Sequence, residues 1–512
     1  MMKHPYFNED HEMFRSSVKQ FVEKEILPFA DQWEEDKKIP KSLWTKMGDQ
    51  GFLGINFPEK YGGTDNDFFY SVILLEELAK SGYAGVSAAQ GVHQYMSTAH
   101  LLRTGSDFLK EKYLPKAISG EWIGSLAITE PIAGSDVANI KTTAVKKEGH
   151  YIINGQKTFI TNGVFGDFIC LACKTKLEDG INGISLIMVD QNLPGVKKNQ
   201  LKKMGWHCSD TAELFFDDVK VPENHLVGEE NQGFFYIMDC FQLERLVTGI
   251  SSVAGAEAGI DATLKYMSER EAFGRTLNKF QILRHRLIDL YTELESVRQL
   301  SYYASWKHQN GQDAVKESCM SKLKATELAK EASDVCLQMF GGNGYMHGYP
   351  IERMYRDARV GTIVGGTSEI MKEIIGKIWL DDVSYKPVYK NSQKDKLKEE
   401  KMSKKPETAR EIIESLPERF KSEKSEGVDT VFHFDIEGER GGQWTITVAE
   451  QKLDLKEGLH GEAKCVLKTK DAVYEDSELG RTNAQMAVMM GKIKISNIGE
   501  MMKFVGLFKR LH

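Results

Sequence analysis

Glu244 stands in the run FQLERL, where helical spacing puts it on one face with Cys240 and Phe241 a turn before and Val247 and Thr248 a turn after. None of these is cationic. A carboxylate among apolar neighbours is poorly solvated, which raises its pKa and makes it a strong base once ionised. The bland alternative is a buried glutamate paired with an arginine from elsewhere. Other stretches have compositions suited to holding a ligand. LAITEPIAGSD (126–136) mixes hydroxyls, a proline and small residues, so backbone N–H groups and Thr129 can reach the edge of a flat polar ring. Arg270, in REAFGRTL (270–277), can give charge-assisted hydrogen bonds to phosphate. The paired glycines of QMFGGNGY (338–345) let backbone approach a ligand closely. Thr367, Ser368 and Glu369, in GGTSEI (365–370), suit the start of a helix. Taken singly, LAITEPIAGSD and FITNG (159–163) are strand ends and turns, and Arg270 and Gln281 are solvated helix-surface residues.

Several familiar chemistries have no motif here. GxxxxGK[ST] is absent, and GGNGYMHG lacks the spacing of a dinucleotide fingerprint after a strand. No G-x-S-x-G elbow occurs either. Seven scattered cysteines suit reduced thiols better than a disulfide framework. Cys170 and Cys173 form a lone CxxC in an apolar run with no partner motif, so no metal site is expected.

The elements that must position these residues follow from periodicity. Apolar residues recur at helical spacing up to about Gly120, as in Phe14, Val18 and Phe21 or Val72, Leu75 and Leu78, predicting a helical first domain, 1–120. Residues 121–231 turn to short β-rich runs such as HYIINGQKTFIT and GISLIMVD, with Asn154-Gly155 as a hairpin signal. Long helical stretches return over 232–384 and can pack as a bundle. A lysine-rich segment, 385–404, almost without core formers, reads as a solvated linker. Beyond it, 405–512 predicts an antiparallel meander (Phe432, Phe434, Ile436; Trp444, Ile446, Val448), flanked by short helices.

Composition narrows the partners. Of 512 residues, 41% are hydrophobic and 28% charged, enough for several cores. The net charge of -7 gives no basic field, so no nucleic acid partner is expected. No run reaches the roughly 18 apolar residues of a membrane span, and the N-terminal residues lack the apolar core of a signal peptide, so a cytoplasmic protein is expected.

LAITEPIAGSD, FITNG, REAFGRTL, Phe280-Gln281, QMFGGNGY and GGTSEI occur in an order that resembles the acyl-CoA dehydrogenase family across residues 1 to about 382. The resemblance implies an N-terminal helical domain, a middle β-barrel-like domain and a C-terminal four-helix bundle, with FAD as cofactor. It implies that Leu126, Ala127, Ile128, Thr129, Glu130, Pro131, Ile132, Ala133, Gly134 and Ser135 line the flavin ring system, with Phe159, Ile160 and Thr161 against it. Phe159 departs from the tryptophan usual in the family. Arg270, Phe273, Gln281, Gln338, Gly341, Gly342, Thr367, Ser368 and Glu369 correspond to residues at the pyrophosphate and adenosine end. Part of each flavin site comes from a neighbouring subunit in this family, which implies a homotetramer or homodimer.

Dehydrogenating an acyl thioester requires a base for the α-proton while the β-hydrogen leaves as hydride to flavin N5. Many family members carry a glutamate where this chain has Gly365. A branch resembling isovaleryl- and long-chain acyl-CoA dehydrogenases keeps glycine there and places the glutamate in an L-E-R-L helix, which makes Glu244 the implied base and Glu369 the runner-up. Substrate contacts are implied for Ser135, Phe235, Gln242, Leu243, Glu244, Arg245, Gly365 and Gly366. The implied product is a trans-2-enoyl-CoA, with an electron-transfer flavoprotein as acceptor. The same fold also admits an acyl-CoA oxidase, a nitroalkane oxidase, or a lipid carrier that has lost flavin activity. Residues from about 407 resemble the sterol carrier protein type 2 domain through VFHFDIEGERGGQWTITV and MAVMMGKIKISN. That implies binding of acyl chains or other lipid and transient membrane contact, with methionines 486, 489, 490, 501 and 502 able to adapt to a flexible tail.

Overall fold

The computed structural model describes residues 5–177, 180–381, 383, 406–422, 425, 427–479, 481–482, 487–488 and 490–508. Two compact units divide the chain, Met1–Val388 and Tyr389–His512. The linker expected at 385–404 and Met486 and Met489 lie outside the described residues.

The first unit starts with helices. Glu9–Phe21 opens with a capping box in which Asn8 accepts from the His11 N–H and the His11 side chain answers the Asn8 N–H. Phe68–Lys80 is buried around nearly its whole circumference, as its run of apolar residues dictates. Its two acidic residues face inward and are matched: Arg15 donates to Glu76 at 2.7 Å and Glu77 at 3.0 Å. The helical path widens into short π-helical stretches at Val22–Ile26 and Val92–Ser97. Ser97 and Thr98 hydroxyls donate to the His93 carbonyl at 2.9 Å across the second stretch, taking up the bond that the wider turn loosens.

Eight strands follow: β1 (Gly124–Ala127), β2 (Thr143–Lys147), β3 (His150–Thr161), β4 (Phe168–Lys174), β5 (Ile184–Asp190), β6 (Val196–Gln200), β7 (Thr211–Pro222) and β8 (Leu226–Val227). Their order in one sheet is β6-β7-β3-β2-β4-β5-β8, with β1 added in parallel to β4. The core between their inward faces includes Tyr151, Ile153, Ile169, Leu171, Ile187 and Leu214. Asn154-Gly155 is not the hairpin. The β2–β3 turn is made by Glu148 and Gly149, both at positive φ, while Asn154 and Gly155 sit inside β3 at a register shift against β7. A Cβ on Gly155 would lie 2.5 Å from the Thr142 hydroxyl, so glycine is required there for close approach rather than for a turn.

Three long helices follow, Gly233–Glu269, Gln281–Gln309 and Val315–Phe340, with the shorter Ser368–Trp379 packed on the last as the fourth of the bundle. The first has 37 residues, about 55 Å of helix, and is apolar on several sides because it packs against both the N-terminal helices and its bundle partners. Gly249 lets it approach Val315–Phe340, since a Cβ there would lie 2.5 Å from the Ser321 hydroxyl. Between the first two helices a small hairpin pairs β9 (Glu271–Ala272) with β10 (Arg275–Thr276).

The second unit is an α+β domain. Strands β11 (Thr430–Glu437), β12 (Gly442–Ala449), β13 (Lys452–Glu457), β14 (Cys465–Lys470) and β15 (Lys494–Ile495) pair in the order β13-β12-β11-β14-β15. The predicted meander is β11–β13, and β14 returns parallel to β11. Phe432, Phe434, Phe504 and Phe508 form a ring cluster between the sheet and the Ile498–Gly506 helix. Because this core is made entirely of its own residues, a fragment starting at residue 406 is expected to fold alone. Circular dichroism should show mixed α and β structure lost in one cooperative thermal transition; a spectrum without ordered structure would contradict this.

Candidate active site

The stretch after β1 is fixed from below by a buried ion pair. Lys157, fully buried in β3, donates to the Ile128 carbonyl and to Glu130 Oε1, both at 2.8 Å. Glu130 also accepts from the backbone N–H groups of Lys141 at 2.5 Å and Thr142 at 2.9 Å. Burial works against its charge, but the Lys157 ammonium and the Thr142 N–H hold its carboxyl below the usual range. Glu130 and Ala133 exchange two backbone hydrogen bonds of 3.0 Å, closing a tight turn with Pro131 and Ile132 at its exposed corners. The Glu130 side chain is thus a brace, and what this segment turns outward is its backbone, Ile132, Gly134 and Ser135.

Beside this turn Phe159 takes φ +62° at a second register shift of β3 and is 69% exposed, while Ile160 is buried and Thr161 half-buried. A large aromatic residue in a left-handed conformation with its ring left open costs energy that a packed fold does not require, and such strain collects at functional sites.

Glu244 lies on the Gly233–Glu269 helix, 5% exposed, and its Oε1 has no hydrogen-bond partner. Burial pushes its carboxyl up to about 8, only partly opposed by Arg245. Among the described residues no lysine or arginine comes within 4 Å of it; the one basic side chain at that range is His100, with Nε2 3.8 Å from Oε1. The arginine pairing expected for an ordinary buried glutamate is therefore absent. Arg245 itself faces Cys319, donating to its sulfur at 3.6 Å, and lies over the Phe241 ring. Gln242 donates to Asp239, Leu243 packs on the main core, and Phe235 is half-buried beside Phe234. Leu126 pairs with Cys170 in the β1–β4 register, and the Cys170 thiol feels the Glu244 charge, so the base candidate stands close to the strand that leads into the turn.

The GGTSEI segment meets the same helix. A Cβ on Gly365, at φ +62°, would come 3.8 Å from the Thr248 hydroxyl, and that hydroxyl donates to the Glu244 carbonyl. Lys322, fully buried, donates to the Gly366 carbonyl at 2.6 Å, and Ser368 donates to Glu327 at 2.6 Å. Thr367 caps the Ser368–Trp379 helix. Glu369 is exposed, and hydrogen bonds from its own backbone N–H and from Thr367 hold its carboxyl below the usual range. A solvated carboxylate of lowered pKa is a weak base, so the runner-up is the poorer candidate.

Arg270, Phe273, Gln281, Gln338, Gly341 and Gly342 form another cluster, at the far end of the bundle. Arg270 ends the long helix, and the Tyr266 ring one turn before it stacks on Phe340, which precedes Gly341. Arg270, Gln281 and Gln338 are exposed, and Phe273 is 96% exposed at φ +52°. A Cβ on Gly341 or Gly342 would meet nothing within 4 Å, so the backbone there is open to a ligand.

Sequence reasoning missed three residues. Lys322 had a signal, since it shares the buried i, i+3, i+7 stripe with Cys319 and Thr326. Lys157 and His100 had none: each reads as an ordinary strand or helix residue.

Family comparisons agree with this arrangement. Residues 8–121, 125–219 and 231–380 match the acyl-CoA dehydrogenase N-terminal, middle and C-terminal domains, and residues 411–509 match the SCP-2 sterol transfer family. The long-chain specific acyl-CoA dehydrogenase of Rattus norvegicus is 37% identical over 379 residues, 73% of this chain and 88% of that protein. The isovaleryl-CoA dehydrogenase of Oryza sativa subsp. japonica is 38% identical over 375 residues, 72% of this chain and 91% of that protein. The crystal structure of an acyl-CoA dehydrogenase from Geobacillus kaustophilus superposes with a TM-score of 0.71 at 44% identity, over 73% of this chain and 99% of that one.

This chain belongs to the acyl-CoA dehydrogenase family. As an acyl-CoA dehydrogenase it is an oxidoreductase acting on acyl-CoA, and the family's cofactor is FAD. The residues present fit that group: an open aromatic beside a braced turn, an Arg270 that forms no ion pair among the described residues, and glycines with free space above them. No described helix is long and apolar enough to cross a membrane.

Because Lys157 and Glu130 compensate each other, removing one leaves a buried charge. Lys157→Met is expected to cost about 3–5 kcal/mol and to lower the flavin content of the purified dehydrogenase. Adding Glu130→Gln should recover part of the stability. Unchanged thermal unfolding and flavin absorbance in Lys157→Met would contradict the bracing role.

Proposed function

We propose that the enzyme oxidises a fatty acyl-CoA to the trans-2-enoyl-CoA, with Glu244 taking the α-proton. The observation that carries this reading is a buried carboxyl raised to about 8 with an unpartnered oxygen, on the helix that the Gly365 turn packs against. Bound FAD supplies the acceptor for the β-hydrogen and its electron pair. The chain's own part is to bring the substrate α-carbon to Glu244, to keep water away from the carboxylate, and to take the proton on Oε1. Glycine at 365 fits this role, because a carboxylate there and a second at 244 would repel each other in one buried site. Apolar surface in the form of Phe235 and Leu243 suits an acyl chain. Backbone and side chains of the 126–135 turn, with Phe159, Ile160 and Thr161, are the proposed flavin ring contacts; Arg270, Phe273, Gln281, Gln338, Gly341, Gly342, Thr367, Ser368 and Glu369 are the proposed contacts to the rest of FAD.

Exposed Phe273, Ile282, Tyr345 and Trp379 support assembly as a homodimer or homotetramer in which a second copy completes each flavin site. An electron-transfer flavoprotein is the proposed acceptor. The C-terminal domain, matching the SCP-2 sterol transfer family, is proposed to bind acyl chains or other lipid in its apolar core region.

Glu244→Gln is expected to retain FAD and near-normal acyl-CoA affinity while slowing anaerobic flavin bleaching by about 10²–10⁴-fold. Close to wild-type bleaching in that variant would sink the assignment. The pH dependence has a definite sign. Glu244 works only when ionised, so the rate of flavin reduction should rise as pH increases towards about 8 and level off above it. A reduction rate flat across about two units either side of that value would contradict a raised carboxyl as the base.

A further inference from the structure

Glu244 points towards one polar group that no step has used. His100, on the Thr98–Thr104 helix, is fully buried, and neither of its ring nitrogens has a hydrogen-bond partner. Its Nε2 is 3.8 Å from Glu244 Oε1, which also has none. Two buried polar groups left unsatisfied within reach of one another are expensive, and a small side-chain rotation would satisfy both. Catalytic hydrogen bonds are often this long before substrate tightens the site.

We propose that His100 is the positioning residue for Glu244: as a neutral imidazole it donates an N–H to the carboxylate and fixes the oxygen that receives the α-proton. This rests on the reading of Glu244 as the base. The proton moves from the substrate α-carbon to the carboxylate, the C–H electron pair stays on carbon, and His100 neither gains nor loses charge. After transfer the same N–H still donates to a lone pair of the protonated carboxyl, so the contact persists through the step without any proton leaving the ring.

The surroundings agree. Burial pulls the His100 imidazole down to about 3, with Arg103 adding to the effect, so the ring is neutral at working pH. The other groups around the pair are already committed or uncharged. Arg103 is paired with Asp239. Arg245, on Glu244's own helix, is turned to Cys319. The thiols of Cys170, on β4, and Cys240, on the helix, are both raised by burial. The Gly365–Gly366 turn brings no titratable side chain. Among the described residues a neutral N–H donor is therefore the contact available to orient Oε1 without neutralising the base.

The test uses the FAD-loaded full chain with His100→Leu and His100→Gln, followed by anaerobic flavin reduction across pH. An N–H donor stabilises the ionised carboxylate, so its loss raises the carboxyl pKa. The leucine variant should keep its flavin and bind acyl-CoA normally, reduce about 10–100-fold more slowly at neutral pH, and show the rising limb about one unit higher. Glutamine, which keeps an N–H and does not titrate, should restore the limb and most of the rate. If the leucine variant does not fold, His100→Phe carries the same expectation. An unshifted limb in His100→Leu or His100→Phe, or equal impairment in His100→Gln, overturns the proposal. Failure of the underlying reading looks different: Glu244→Gln would then reduce flavin at the wild-type rate.

Discussion

Burying Glu244 without a cation beside it costs free energy, and the surrounding side chains are arranged so that no cation relieves it. A lone carboxylate in an apolar setting gives up solvation that Coulomb attraction would otherwise replace. Here the carboxyl responds by rising to about 8 rather than by recruiting an arginine. Several contacts keep it unpaired. Gly249 brings two long helices close together, Arg245 is turned to Cys319, and Arg103 to Asp239. Each cation near Glu244 has another occupation.

The opposite device serves the turn at 128–133. There a full ion pair is buried, Lys157 with Glu130, and its reach from β3 to the end of β1 ties together the two segments that border the open Phe159 ring. The two devices are complementary: the buried pair fixes geometry, and the unpaired carboxyl of the proposed base keeps its proton affinity.

Much of this was legible in the sequence, and the rest shows why some was not. The helix–β–helix plan follows from periodicity, and the meander at 430–457 follows from strict alternation. The turn forms at Glu148-Gly149 rather than at Asn154-Gly155 although glutamate seldom takes positive φ, so local turn preference alone points to the wrong pair. Glycine at 155 answers to Thr142, a contact no local window contains. The apolar setting of Glu244 was legible because its helical neighbours are local. Whether an arginine from elsewhere met it was a question of tertiary distance, and so was the approach of His100 from a helix more than a hundred residues away. The brace at Lys157 was invisible for the same reason.

The central claim is that Glu244 removes the α-proton, and it can be tested without any electron transfer. An acyl-CoA with sulfur in place of its third carbon has no β-hydrogen to lose, so the only chemistry left is exchange at the α-carbon. In deuterated buffer the FAD-loaded enzyme should exchange the α-hydrogens of this analogue, and Glu244→Gln should bind it yet exchange at the background rate. Exchange by Glu244→Gln at the wild-type rate would contradict the account, because another group would then hold the proton.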